Sequence, residues 1–392
     1  MDEKEDKTVL TIEEANTKVL NIVNNAVVYG WDKEFCKAEV RKLVEQTKVE
    51  LKELGASDEL VLNTVNSIMT TFMKSWVISI EVLKKEAKND YFGAIGQTIL
   101  NMESKATKET TDRGFMINVE GEKALIGRGS ITNLRDFITG DSRGGSQRFI
   151  EYTDRIKQTL VEINERLADN TLTLVGKDGR QLSVRNLAEI ETRYNMISED
   201  LQRNGVQVND FVIASAHSDA SERCSWWQGK IFIVDLEVNS RPMGQYQGHK
   251  PQQTELGHID GKPYYSLLEA CNNGFLSYNC QHRLIKYYKG AQPPQYDDMV
   301  KVRNKRELTT IQRNMENTIR KYKRRETLST KGVTIKRKNP YTDKMEEFQE
   351  REYNIMMSKY WQEKYSTLCK DNGLPEYRWR LKITQAERDV KQ

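Results

Sequence analysis

Four residues near the middle of the chain carry side chains able to bind a metal ion: His217, Cys224, Cys280 and His282. Thiolate sulfur and neutral imidazole nitrogen are the donors zinc prefers, and four that converge form a closed structural site. Three of the five cysteines (Cys224, Cys271 and Cys280) and all four histidines lie between positions 217 and 282. The spacing alone does not decide for a metal, because one residue separates Cys280 from His282 where zinc motifs usually leave more. The competing reading is a set of small buried thiols and hydrogen-bonded core histidines around a compact turn. His217 with Asp219 and Glu222 suggests acid–base chemistry, but no nucleophile is placed against the histidine, which leaves a polar loop following a strand. The chain has no phosphate-cradling glycine loop, no nucleophile elbow and no zincin helix.

These residues need elements to position them. FVIASAH at 211–217 and KIFIVDLEV at 230–238 have the β-branched and aromatic content of strands, and 241–263, rich in Gly, Gln and Pro, reads as a loop. Between the strands stands Trp226-Trp227-Gln228-Gly229-Lys230. At least one of these tryptophans is expected in the core, anchoring the strand that begins at Lys230, with Gly229 permitting close backbone approach. Upstream, TLTLVGKDGRQLSV at 171–184 is strand, turn, strand, and a helix follows that ends at Gly205.

The N-terminal hundred residues read as helices. Thr11 and Glu14 have the spacing of a capping box, which would open the first helix at Thr11. A second helix is expected from Asp32 to Leu54, stopped by Gly55, and a third from Ser57 or Asp58, apolar enough to be buried on several sides or packed against another subunit. Glycines, threonines and short β-type runs between about 105 and 145 suggest an irregular insertion with a hairpin, and a helix returns at 149–167. Residues 300–385 read as two long charged helices with an interruption at KGVTIKRKNPYTDK; Tyr353, Tyr360, Trp361 and Tyr365 there are read as packing residues.

A length of 392 residues, 37% hydrophobic and 30% charged, with a mean hydropathy of −0.73, suits solvated helix faces. The longest apolar run, WVISIEV at 76–82, is too short to span a bilayer. The MDEKEDK start lacks an apolar segment behind it, so the chain is expected to stay in a cytoplasm, and five widely spaced cysteines argue against a disulfide framework. The net charge of +4 says little about partners, but cationic clusters gather in the C-terminal third. Arg320, Lys321, Lys323, Arg324, Arg325, Lys336, Arg337 and Lys338 could face nucleic acid; the alternative, and the favoured one, is a solvated helix flank.

The stretch HSDASERCSWWQGK at 217–230 resembles the segment of the phage minor capsid protein 2 family that reads H-x-G-A-R-x-x-[HC]-x-x-W-Q-G-K. Trp227, Gln228, Gly229 and Lys230 stand at the same distance from the histidine. Asn279-Cys280-Gln281-His282, followed by Tyr287, Tyr288 and Gly290, is similar to the family's N-C-R-H segment with its aromatic pair and glycine. Further resemblances are the Lys177-Asp178-Gly179-Arg180 turn, the helix carrying Thr192-Arg193, and Asn209-Asp210-Phe211-Val212. Another is the helix at 307–323, and the last is the segment with Asn372-Gly373-Leu374 and Arg378. The sequence departs from the pattern at Asp219-Ala220-Ser221, in place of glycine-alanine-arginine, and at Gln281, in place of arginine.

The resemblance implies a minor structural protein of a phage head, carried by phages or prophages of Gram-positive bacteria and assembled in the bacterial cytoplasm. Its implied partners are the portal and major capsid proteins, with packaged double-stranded DNA as a further one, and its implied role is head assembly or DNA delivery. Two other classes stand beside it: a metal-dependent hydrolase or toxin-like transferase built on the Cys/His module, and a nucleic-acid-binding protein using the basic C-terminal helices. The expected fold is α+β and predominantly helical. It comprises a helical N-terminal domain (1–104), an irregular insertion (105–148), a small central mixed α/β module (149–295) and a charged long-helix C-terminal region (296–392). No catalytic residue is expected, and zinc is the one cofactor the residues suggest.

Overall fold

The computed structural model describes residues 3–90, 93–103, 107–111, 114–119, 122–126, 134, 147–175, 181–217, 220–235, 249–276, 280, 282–292, 299–330 and 332–384. The fold is α+β and mostly helical, as expected. The helices are α1 (Glu3–Tyr29), α2 (Lys33–Glu53), α3 (Asp58–Ala87), α4 (Ala94–Met102), α5 (Gln147–Asp169), α6 (Val184–Arg203), α7 (Glu222–Ser225), α8 (Leu267–Asn272), α9 (Met299–Leu328) and α10 (Glu350–Asp371). Among the described residues no helix is long and apolar enough to cross a membrane.

Cα packing divides the chain into two compact units. One consists of Leu10–Val184, Met315–Leu368 and Pro375–Gln392. Here local chemistry sets the helix ends. The Asp32 side chain accepts from the Phe35 amide and caps α2, and Gly55 takes a left-handed φ of 73° after its C-terminus. The Ser57 hydroxyl caps α3 by accepting from Leu60 N–H. α3 packs against α2, α4 and α5. Its buried face carries Leu60, Ile68, Phe72, Trp76 and Leu83, whereas Leu62, Met73 and Val77 on another face are exposed. The expectation of burial on several sides thus holds for a broad stripe and not for the whole circumference.

The first helix starts earlier than expected. Thr11 does not open a helix: it lies inside α1, because buried Thr8, Val9 and Leu10 carry the core-facing stripe further upstream. The interruption between the last two long helices is a hairpin, β11 (Thr334–Lys338) paired antiparallel with β12 (Met345–Gln349). The stretch around 105–126 holds β1 (Thr107–Thr111), β2 (Gly114–Val119) and β3 (Glu122–Ile126), an antiparallel three-stranded sheet where a hairpin was expected. β4 (Thr173–Val175) and β5 (Gln181–Ser183) pair as expected; the Lys177-Asp178-Gly179 turn joining them lies outside the described residues.

The other unit consists of Met1–Val9, Arg185–Asn314 and Cys369–Leu374. Its centre is a mixed sheet with strands in the order β10 (Leu284–Lys286), β6 (Phe211–Ala214), β7 (Ile231–Ile233), β9 (Lys262–Ser266) and β8 (Glu255–Ile259), among the described residues. β7 and β9 run parallel and the other pairs antiparallel. Alternation along β6 sends Val212 and Ala214 into a core with Ile197 and Leu201 of α6, Trp227, Phe232 and Phe275. Ile213 faces the opposite side, against Ile231 and Tyr287. The 241–263 loop is corrected in its second half. β8 and the start of β9 occupy it, turning at Asp260 and Gly261 with φ of 50° and 73°, the two left-handed positions a tight hairpin turn requires.

Candidate functional site

β6 delivers the chain to Ser215 and His217, and one short helical turn, α7, carries Cys224 inward. The turn after α7 tightens at Gly229, whose φ is 68° and whose N–H donates to Ala214 O at 3.1 Å. A residue with a Cβ would be strained there. That tight turn drives Trp227 and Gln228 into the core at 0% and 1% exposure, as expected for one of the tryptophans, while Trp226 is half-buried. From the other side, the approach to β10 supplies Cys280 and His282, at 5% and 2% exposure.

The ligand atoms of Cys224, Cys280 and His282 all lie within 4.8 Å of one another. The two sulfurs are 3.8 Å apart, and Cys280 Sγ is 3.3 Å from His282 Nδ1. Gln228 settles the tautomer of this histidine. Its side-chain Oε1 accepts from the His217 backbone N–H at 3.0 Å, and a backbone N–H can only donate, so the atom is the amide oxygen. The same oxygen lies 3.1 Å from His282 Nε2, which must therefore carry the proton. Nδ1 faces the cysteine sulfurs.

Cys224 and Cys271 in this unit's core differ in acidity. The neighbouring Cys280 thiol, and next the His282 ring, hold Cys224 well below the usual thiol range despite burial. Burial pushes Cys271 up to about 12, with Asp235 and Cys224 adding to the rise, which makes it an inert core thiol.

His217 lies beside this group without joining it. Its ring meets that of His282 edge-on at 4.8 Å between centroids, and its Nε2 is hydrogen-bonded with Ser215 Oγ at 2.8 Å. The structure thus brings together three of the four metal candidates. Ser215 and Gln228, which orient the two histidines, carried no ligand signal in the sequence. Of the acid–base group, Glu222 pairs with Arg306 at 3.2 Å, and Asp219 lies outside the described residues. Lys230 stands over the Tyr265 ring at 4.1 Å and donates to Gln253 Oε1 at 2.7 Å; burial first, then Lys250, lowers its pKa to about 8. Asn279 lies outside the described residues, and Arg193 is in α6, its side chain likewise undescribed.

The basic residues of the C-terminal third are mostly engaged. Arg320 and Arg324 are buried beside Glu13, at 3.9 and 3.6 Å, and their inward direction removes both from a phosphate-facing surface. They donate as well to the carbonyls of Arg380 and Ala168. Lys321 pairs with Asp169, Arg325 and Arg337 share Glu165, and Lys338 pairs with Asp343. Lys323 is half-buried and Lys336 exposed.

A family model described as phage minor capsid protein 2 matches residues 155–351, half of the chain, a span that takes in Cys224, Cys280 and His282. No curated protein and no solved structure matches the chain.

Proposed function

Because the chain belongs to the phage minor capsid protein 2 family, we propose that it is a low-copy structural component of a phage head, associated with the portal or inner capsid and acting in head assembly or DNA delivery. The family match carries this reading. The site adds to it: among the described residues, Cys224, Cys280 and His282 are at most 5% exposed. That geometry suits a module held together by its Cys/His group better than a metal-dependent hydrolase.

The portal and major capsid proteins are the partners this role requires. Contact with packaged DNA falls to the β11–β12 hairpin, where Lys336 is exposed and Lys338 makes a surface pair with Asp343. Surface ion pairs are worth little and exchange readily for phosphate. Deleting the gene from the phage or prophage that encodes the chain, with complementation in trans, tests the role. Loss of infectious particles, with heads arrested before completion or unable to deliver DNA, is expected. Normal yields of infectious particles lacking the chain would overturn it.

A further inference from the structure

We propose that Cys224, Cys280 and His282 hold a zinc ion that ties the turn after β6 to the segment leading into β10. The group joins two parts of the chain more than fifty residues apart, at the edge of the sheet where β10 pairs with β6.

Two of the three ligand separations fit a metal, and all three ligand atoms lie within 4.8 Å of one another. With Zn–S near 2.3 Å and tetrahedral angles, two ligating sulfurs sit about 3.8 Å apart, and a sulfur and an imidazole nitrogen about 3.5 Å. The observed separations are 3.8 Å for the sulfurs and 3.3 Å from Cys280 Sγ to His282 Nδ1. Two thiols in plain contact would also come near the first value, so the histidine decides. Its Nε2–H is committed to Gln228 Oε1, itself fixed by the His217 amide, and this is the outer hydrogen bond that orients a metal-ligating imidazole. The donor set, two sulfurs and one nitrogen, is a zinc set; hard cations such as magnesium or calcium take oxygen ligands. Burial of the three ligands assigns the ion a structural role.

The test is elemental analysis of the full chain purified under reducing conditions from zinc-replete cells. About one zinc per chain is expected for the native sequence and for Cys271→Ser, which alters the same core outside the ligand set. Cys224→Ser, Cys280→Ser and His282→Ala should each lose the metal. Titration of the apo native chain with cobalt(II) is a second readout that does not depend on the variants folding. Thiolate-to-cobalt charge-transfer bands, abolished by competing zinc, support the site. A native chain that purifies without zinc, keeps all five thiols reactive or forms a Cys224–Cys280 disulfide, and gives no cobalt–thiolate bands, would overturn the proposal.

Discussion

Gln228 Oε1 lies 3.1 Å from His282 Nε2 and fixes which ring nitrogen faces the cysteines. A change at Gln228 therefore reports on the site without touching a ligand. Gln228→Ala should weaken zinc binding by roughly 10–100-fold, the usual effect of losing a ligand's outer hydrogen bond, while the ion still binds. Competition with a chromophoric chelator measures this. An affinity equal to that of the native chain would show that the hydrogen bond does not orient the histidine.

The pairing of Glu13 with Arg320 and Arg324 predicts a contrast between buried and exposed charge. Glu13→Gln strips the carboxylate from two buried guanidiniums and should cost roughly 3–5 kcal/mol in urea denaturation. Asp343→Asn breaks the exposed pair with Lys338 and should cost under about 1 kcal/mol. Similar small losses in both variants would place Arg320 and Arg324 at the surface, contrary to the fold described.

Glu350 gives a pH signature. Burial holds its carboxyl above the usual carboxylate range, although Asn164 Nδ2 donates to it at 3.2 Å and Thr330 N–H at 3.2 Å. The folded chain therefore binds this proton at a higher pH than the unfolded chain does, and the penalty for the buried charge is in full force above the raised folded pKa. Stability should rise as pH falls through that value toward 4.5, the ordinary value. Glu350→Gln lacks the titration, so its stability relative to the native chain should shrink over the same fall in pH. Parallel pH profiles of urea midpoints would contradict this.

Lys230 titrates in the opposite region. Its folded pKa of about 8 lies below the ordinary 10.5, so the unfolded chain binds the proton more strongly and stability should rise with pH between these values. The rise should be absent in Lys230→Met, compared by thermal melts across the window. A native-minus-variant difference that does not change with pH would mean that Lys230 is not desolvated.

What was legible in the sequence follows from how local each signal is. The Asp32 cap, the Gly55 stop and the Ser57 cap are decided within a few residues, and α2 begins and ends, and α3 begins, where those residues say. Thr11-x-x-Glu14 has the same local pattern but sits inside α1, because the burial of Thr8, Val9 and Leu10 overrode it. The Asp260-Gly261 dipeptide was a readable hairpin signal in a segment otherwise taken as loop. β10 spans three residues and exists through its pairing with β6, so no periodicity revealed it. At the site, donor types singled out Cys224, Cys280 and His282. That Gln228 reaches His282 depends on a contact between distant segments. Arg320 and Arg324 looked like neighbours in a basic cluster; one helical turn apart on α9, they share an inward face and its acid, Glu13.

The central claim is that this chain is built into a phage particle, and quantitative mass spectrometry of gradient-purified virions tests it most directly. The account predicts peptides of the chain co-sedimenting with intact heads, at a small and reproducible ratio to the major capsid protein that survives high-salt washing. Recovery of the chain only from the soluble lysate, with none in purified particles, would contradict it.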